Sequence, residues 1–170
     1  MLISKELTAA MNEQVGSELA ASNQYIIIAS YFDSEQLPEL ADFFFRQSDE
    51  ERMHALKFVR YILDAGGEVS IPAIEAAPQT LDSAEAAVKA ALDWELEVTT
   101  QINNIMDLAI KQNDHIAQSF MRWFVDEQLE EVSTMDNLLG VVRRAGDQLL
   151  LVEDYVVRRG DPHAQGAGGE

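Results

Sequence analysis

Residues 49–54, DEERMH, place the carboxylate of Glu51 and the imidazole of His54 in a stretch that otherwise has helical apolar spacing. The two residues are three positions apart, so on a helix their side chains point the same way. Phenylalanines at positions 43, 44 and 58 flank the pair. Taken singly, such a pair is most often a solvated surface feature, so its meaning depends on the rest of the chain.

A second acidic stretch, DEQLEE at residues 126–131, repeats the first at a constant offset of 77 residues. The offset pairs Glu18 with Glu95, Glu50 with Glu127, Glu51 with Gln128, and His54 with Glu131. Scattered surface charge would seldom keep such a register. The repeat therefore indicates two related halves that carry polar side chains at matching positions.

Apolar residues recur at helical spacing in four long segments, and Pro or Gly marks most of the boundaries. The predicted helices span about residues 4–32, 38–65, 82–111 and 115–145, and a fifth of about a dozen residues follows Gly146. Pro38 suits a first helical position, and Asp82 with Glu85 resembles a capping box. Gly146 stands where a helix C-cap is expected.

Short turns join the first helix to the second and the third to the fourth, which predicts two antiparallel hairpins. The connection between the hairpins is long, contains two prolines and has no helical period. The predicted fold class is all-α: a ferritin-like four-helix bundle with a long crossover connection and a short fifth C-terminal helix. We expect one domain over residues 1–160 and a flexible Gly-rich tail over 161–170.

Antiparallel hairpins bring the repeated polar residues to one level of the bundle. This level would contain Glu18, Glu51, His54, Glu95, Gln128 and Glu131. So many carboxylates cannot share a dry core as anions unless cations neutralise them. Two divalent ions meet this demand, and one imidazole among carboxylates suits iron or manganese better than magnesium. Glu-x-x-His in one half is Gln-x-x-Glu in the other, so the two metal positions should be unequal.

The composition restricts the possible partners. Twelve Lys and Arg against 30 Asp and Glu give a net charge of −18, which disfavours nucleic acid and anionic membranes and favours cations. The chain has no cysteine, which excludes disulfides, zinc ribbons and cysteine nucleophiles. It has neither an apolar signal core nor an apolar run of about 18 residues. We therefore expect a cytoplasmic protein.

With these residues identified, the chain resembles the non-haem bacterial ferritins, most closely their actinobacterial type. The resemblance covers residues 5–159 and rests on four stretches taken together. They are EQVGSELAASNQYI around Glu18 and Tyr25, SDEERMHA around Glu51 and His54, DWELEVT around Glu95, and FMRWFVDEQLEEV around Gln128.

The resemblance implies a catalytic ferroxidase centre. Glu18, Glu51 and His54 would bind one iron, and Glu51 would bridge to a second iron held by Glu95. Gln128 would lie beside the second iron and help to place oxygen or water. Tyr25 is implied as a one-electron donor close to the centre, and Trp123 is a weaker candidate for that role. A third iron site nearby would use Glu50, Glu127, Glu130 and Glu131.

The same resemblance implies that the protein oxidises Fe(II) with O2 or H2O2 and stores Fe(III) as mineral inside a homo-oligomeric shell of 24 subunits. No haem is expected, because Arg52 stands where haem-binding bacterioferritins have Met. The fifth helix would line a four-fold channel, which the apolar residues 149–152 would close to hydrated ions. Gln118 and Met121 replace acidic residues of the three-fold channel in animal ferritins, which leaves the iron entry route open.

Four alternatives stand beside this interpretation. A rubrerythrin-like peroxidase would need an electron-transfer iron centre, for which the chain has no cysteine. A di-iron oxygenase would need an apolar substrate pocket beside the metals. A non-catalytic acidic bundle would only buffer cations. A DNA-protecting mini-ferritin is disfavoured, because those proteins build their centres between subunits and lack a fifth helix in this position.

Overall fold

The structure is a computed structural model that describes residues 2–77 and 80–160. The regular elements, in chain order, are α1 (Lys5–Ser34), α2 (Pro38–Asp64), α3 (Ala84–Lys111), α4 (His115–Ala145) and α5 (Leu149–Arg159). Within the described ranges there are helices and no strands, which confirms the all-α prediction. The predicted tail, 161–170, lies outside these ranges.

The four long helices form the predicted pair of hairpins. Helix α1 packs against α2, and α3 packs against α4, while α1 also contacts α3. Helix α5 rests on α2 and α4. A four-helix bundle with an added short helix, as predicted, is therefore the observed architecture.

The two hairpin turns have the same geometry at the same offset of 77 residues. Gln36 and Asn113 both adopt a left-handed backbone, with φ of 62° and 53°. In the first turn, the backbone N–H of Leu37 donates to the carbonyl of Phe32 at 3.0 Å. Its counterpart, from Asp114 to Ala109, is also 3.0 Å long. Identical turns give both hairpins the same register, so paired positions lie at the same height.

One predicted helix start is wrong. Helix α3 is capped by Ser83, whose hydroxyl accepts a hydrogen bond from the backbone N–H of Ala86 at 3.1 Å. Asp82 was expected in that position, but Ser83 has the extended backbone of an N-cap and satisfies the third N–H of the helix. The other end signals agree with the sequence, since Pro38 begins α2 and Gly146, at φ 55°, closes α4.

Helix α5 is held to the bundle by a buried carboxylate as well as by apolar contacts. Glu153 accepts a hydrogen bond at 2.9 Å from the backbone N–H of Leu40, in the first turn of α2. Helix α2 has no side-chain cap of its own, so Glu153 supplies the anion that a helix N-terminus favours. Val152 and Val156 are buried beside it, whereas Leu150 is 72% exposed.

The crossover connection is tied to α1 at two points. The side chain of Asn12 donates to the carbonyl of Glu68 and accepts from the N–H of Ser70, both at 2.9 Å. One turn further along α1, Gly16 lies under the ring of Pro72. A Cβ added at Gly16 would be 2.4 Å from the Cγ of Pro72, far inside van der Waals contact. The glycine therefore allows the close approach of the connection.

We predict that Gly16→Ala destabilises the protein by about 1–3 kcal/mol, because the new methyl group overpacks the contact with Pro72. The matched control is Gly140→Ala in α4, where an added Cβ meets nothing within 4 Å. Better helix propensity should make the control more stable by about 0.5–1 kcal/mol. Denaturant midpoints at one protein concentration compare the two variants. If both variants were stabilised equally, the ring of Pro72 would be able to move away from the added methyl group without an energetic cost.

The apolar core is divided into two parts along the bundle. One part contains residues such as Phe32 and Phe44, near the α1–α2 turn. The other contains residues such as Met11, Phe58 and Phe124, towards the opposite end. In each of the four long helices the two apolar segments are separated by buried polar side chains. That polar layer is the only break in the core within the described residues.

Candidate metal centre

The polar layer between the two core segments is built around six buried side chains from four helices. They are Glu18 of α1, Glu51 and His54 of α2, Glu95 of α3, and Gln128 and Glu131 of α4, each 1–6% exposed. The structure thus brings to one level the residues that the 77-residue repeat pairs. Four carboxyl groups buried in one layer must either hold protons or be neutralised by cations.

Glu18, Glu51 and His54 form one group of potential metal ligands, whose ligand atoms lie within 4.8 Å of one another. Nδ1 of His54 is 3.3 Å from Oε2 of Glu51. Oε1 of Glu18 accepts a hydrogen bond from Gln14 at 2.9 Å. Oε2 of Glu18 is buried and has no hydrogen-bond partner among the described residues. A cation between these ligands would satisfy that oxygen.

Glu51, Glu95 and Glu131 form a second group with the same 4.8 Å spacing of ligand atoms. Glu51 belongs to both groups, so its carboxylate is within reach of both sets of ligands. The first group has two carboxylates and an imidazole, whereas the second has three carboxylates and no nitrogen. The two positions are therefore chemically unequal, in line with the sequence repeat. Both sets of oxygen and nitrogen donors suit iron.

A third group joins His54 with Glu127 and Glu131. Of the four residues that the resemblance assigned to a third iron, this group contains Glu127 and Glu131. Glu50 is near enough for its charge to raise the pKa of both Glu51 and Glu131. Glu130 is exposed and belongs to none of the three ligand groups in the described part of the chain.

Burial dominates the electrostatics of the centre. Desolvation raises the pKa of Glu18, Glu51 and Glu131 well above the ordinary carboxyl value. Repulsion between the carboxylates adds to it, from Glu51 on Glu18 and from Glu95 on the other two. Desolvation likewise raises the pKa of Glu95, to about 7. Without a metal ion the centre therefore holds protons that the exposed acids release.

Tyr25 is fully buried beside the second group, and its hydroxyl donates a hydrogen bond to Oε1 of Glu95. Desolvation and the nearby charge of Glu95 raise the pKa of the Tyr25 phenol well above its ordinary value. The phenol is therefore neutral at physiological pH. Because Glu95 already accepts its hydrogen bond, a proton leaving Tyr25 would have an acceptor in place.

Trp123 connects the centre to the protein surface. Its ring is in edge-to-face contact with that of His54, with centroids 5.4 Å apart, and its side chain is 37% exposed. The ammonium group of Lys57 lies 3.8 Å from the centroid of the Trp123 ring. A positive charge on the ring face disfavours loss of an electron from the indole. Tyr25 is therefore the better placed of the two candidate electron donors.

Two residues of the centre were missed in the sequence. Gln14 is 2% exposed and donates to Glu18 from one turn earlier in α1. Thr99 accepts a hydrogen bond from Gln128 at 3.1 Å and lies one turn after Glu95. Both lie four positions from a predicted ligand, and that spacing could have indicated them.

Comparison with known families settles the classification. The family model for the ferritin-like domain matches residues 8–145, which include all six residues of the polar layer. The chain belongs to the ferritin family. Ferritins bind and store iron.

Two bacterial relatives illustrate the sequence similarity of this ferritin. It is 42% identical to ferritin BfrB of Mycolicibacterium smegmatis over 166 residues, which are 95% of this chain and 92% of the relative. It is 37% identical to the bacterial non-heme ferritin of Staphylococcus epidermidis over 146 residues, 86% of this chain and 88% of the relative. The predicted resemblance to bacterial ferritins is confirmed.

Solved structures give the same result. An open-pore ferritin from the hyperthermophilic archaeon Archaeoglobus fulgidus superposes with a TM-score of 0.88 at 30% identity, covering 91% of this chain and 96% of that chain. A closed form of the same ferritin, engineered by site-directed mutagenesis, gives a TM-score of 0.87. In the described ranges, no helix of this ferritin is long and apolar enough to cross a bilayer.

Proposed function

We propose that this ferritin is a ferroxidase that oxidises Fe(II) to Fe(III) with O2 or H2O2 and stores the product as mineral. The catalytic and metal-binding residues would be Glu18, Glu51, His54, Glu95 and Gln128, with Glu131 as a further ligand. A third iron would lie near Glu50, Glu127, Glu130 and Glu131, of which Glu127 and Glu131 share a ligand group with His54. One domain over residues 1–160 would assemble with 23 copies of itself into a cytoplasmic shell.

The observation that carries the proposal is the double membership of Glu51. Its ligand atoms lie within 4.8 Å of Glu18 and His54 on one side and of Glu95 and Glu131 on the other. A carboxylate shared in this way can bridge two ions and keep them close enough to react together with one oxidant. A non-catalytic acidic bundle would not require two ligand groups to share one buried carboxylate.

The chemistry needs two electrons for each oxidant molecule. Two Fe(II) ions each lose one electron, and O2 gains two electrons and two protons to become H2O2. With H2O2 as the oxidant, the same two electrons and two protons produce two molecules of water. The chain's own contribution is to hold two ions side by side and to keep bulk water out of a layer that is 1–6% exposed.

The unequal ligands support storage rather than a permanent di-iron cofactor. His54 is the one imidazole of the centre, and Glu131 takes the place of a second. The second position offers carboxylates of the same kind as the neighbouring Glu127, so Fe(III) could pass from one to the other by exchange of like ligands. With a third Fe(II) ion bound, Tyr25 would supply the fourth electron that takes O2 to two molecules of water, and its phenolic proton would pass to Glu95 and leave a neutral tyrosyl radical.

The proposal is tested by mixing metal-free protein with Fe(II) in air and following Fe(III) absorbance against the iron-to-subunit ratio. We expect a fast phase that saturates at about two irons per subunit. Glu51→Ala should abolish the fast phase, because it removes the shared ligand. Glu97→Ala, which removes one exposed carboxylate from α3, should retain it.

Slow oxidation of equal rate in all three proteins would refute the ferroxidase proposal and favour the acidic bundle. Sedimentation of the metal-free protein tests the assembly separately. A single species with about 24 times the mass of one chain is expected, and a monomer or dimer would contradict the shell.

A further inference from the structure

The carboxylate of Glu95 accepts hydrogen bonds from two different side chains. The Tyr25 hydroxyl donates to its Oε1, and the amide Nε2 of Gln128 lies 3.2 Å from its Oε2. The carboxylate therefore has both oxygens engaged by neighbours on different helices, α1 and α4. Its orientation depends on these two donors as well as on its own rotamer.

The orientation of the Gln128 amide depends in turn on three acceptors on α3. Nε2 lies 3.1 Å from the main-chain oxygen of Glu95, 3.2 Å from its Oε2, and 3.1 Å from Oγ1 of Thr99. Carbonyl and carboxylate oxygens can only accept, so the nitrogen end of the amide must face α3. The carbonyl end of Gln128 is thereby turned away from α3.

Thr99 has a defined part in this arrangement. Its hydroxyl donates to the main-chain oxygen of Glu95 at 2.7 Å, which commits its single proton. A lone pair of Oγ1 is then left to accept the amide of Gln128. The hydroxyl of Thr99 thus bonds to Glu95 and Gln128, so its influence on a metal ion passes through these two residues.

We propose that Thr99 is a positioning residue for the second metal position: its hydroxyl orients the Gln128 amide, which holds Glu95 ready to bind. The inference rests on the proposed function, because it takes Glu95 as a ligand of that position. Hydrogen bonds to a metal ligand orient it, and losing one typically weakens metal binding about 10–100-fold. The first position, with Glu18 and His54, has its own support in Gln14 and should not respond to Thr99.

The test uses Co²⁺ alone as the probe, with metal-free full-length protein under anaerobic conditions. Calorimetry and the visible absorption of bound Co²⁺ resolve the two binding steps. Thr99→Val keeps the side-chain shape and removes the hydroxyl, and we expect about a 10-fold weaker second step with an unchanged first step. Thr99→Ser restores a hydroxyl and should restore the second step.

Thr100→Val is the matched control. Thr100 makes the same type of backbone hydrogen bond, from its hydroxyl to the carbonyl of Leu96 at 3.1 Å, but it is exposed and does not contact Gln128. A general effect of losing such a bond on α3 would appear in both valine variants. An effect through Gln128 would appear in Thr99→Val alone.

The outcomes separate the two proposals. Suppose that the natural protein binds Co²⁺ in two steps and that Thr99→Val leaves the second step unchanged. This result would overturn the role of Thr99 but would not contradict the ferroxidase centre. Equal weakening by Thr99→Val and Thr100→Val, or no rescue by Thr99→Ser, would also overturn it. A natural protein that binds Co²⁺ in no stoichiometric steps would overturn both proposals together.

Discussion

Metal-free protein should become markedly less stable as the pH rises from about 5 to about 8. The cause is the layer of buried carboxyls at Glu18, Glu51, Glu95 and Glu131, whose pKa values are all raised by desolvation and mutual repulsion. Above pH 4.5 the unfolded chain has lost these protons while the folded protein still holds them. The folded state then binds more protons than the unfolded state, so each rise in pH favours unfolding.

The pH range over which stability is lost follows from the pKa of Glu95 in the unfolded and in the folded protein. Its pKa rises from an ordinary 4.5 to about 7, which corresponds to about 3 kcal/mol of stability lost across that interval. The contribution is fully present below pH 4.5 and is gone once the pH passes the folded pKa. The other three buried acids act in the same direction. Denaturant midpoints at a fixed protein concentration, measured at several pH values, would show the loss.

A bound divalent ion should reverse this trend. Ionised carboxylates are what the ion binds, so Co²⁺ or Zn²⁺ should stabilise the protein more at pH 8 than at pH 5. At a hundredfold excess over its dissociation constant, one ion adds about 3 kcal/mol. If the stability of the metal-free protein stays constant or rises between pH 5 and pH 8, the four carboxyl groups do not have the raised pKa values on which this prediction depends.

Glu51→Gln should change catalysis and stability in opposite directions: oxidation becomes slower while the metal-free protein becomes more stable. The amide keeps the shape of the side chain, but it cannot carry the negative charge that bridges two ions. We expect fast Fe(II) oxidation to fall by at least about 100-fold, because the two ions are no longer held together. The metal-free variant should be more stable than the natural protein at pH 8, by about 1 kcal/mol or more, because desolvation and repulsion from Glu95 oppose ionisation of Glu51, and glutamine has no proton to lose.

Stopped-flow absorbance measures the oxidation rate, and chemical unfolding of the same samples measures the stability. Asp49→Asn is the matched control, because it removes one negative charge from the exposed side of α2 two positions away. That variant should change neither property appreciably. If the metal-free Glu51→Gln variant is less stable than the metal-free natural protein, then groups of the chain itself must stabilise the Glu51 carboxylate.

Much of the fold and of the centre is predictable from the sequence, because both depend on local periodicity. Helical spacing and the Pro38 and Gly146 boundaries predict α1 to α5 to within a few residues. The offset of 77 pairs Glu18 with Glu95, and short identical turns convert that offset into a common height. At the start of α3 the capping-box pattern predicted Asp82, whereas Ser83 caps the helix.

The sequence by itself therefore determined the helices, the hairpins and the four-helix level at which the carboxylates meet, since these follow from spacing along the chain. Only the tertiary structure decided what surrounds them. The contact between Gly16 and Pro72, the cap that Glu153 gives to α2, and the exposure of Glu130 are relations between distant segments. Such relations depend on how helices pack in three dimensions, and a one-dimensional pattern does not record which side chain fills the space opposite another.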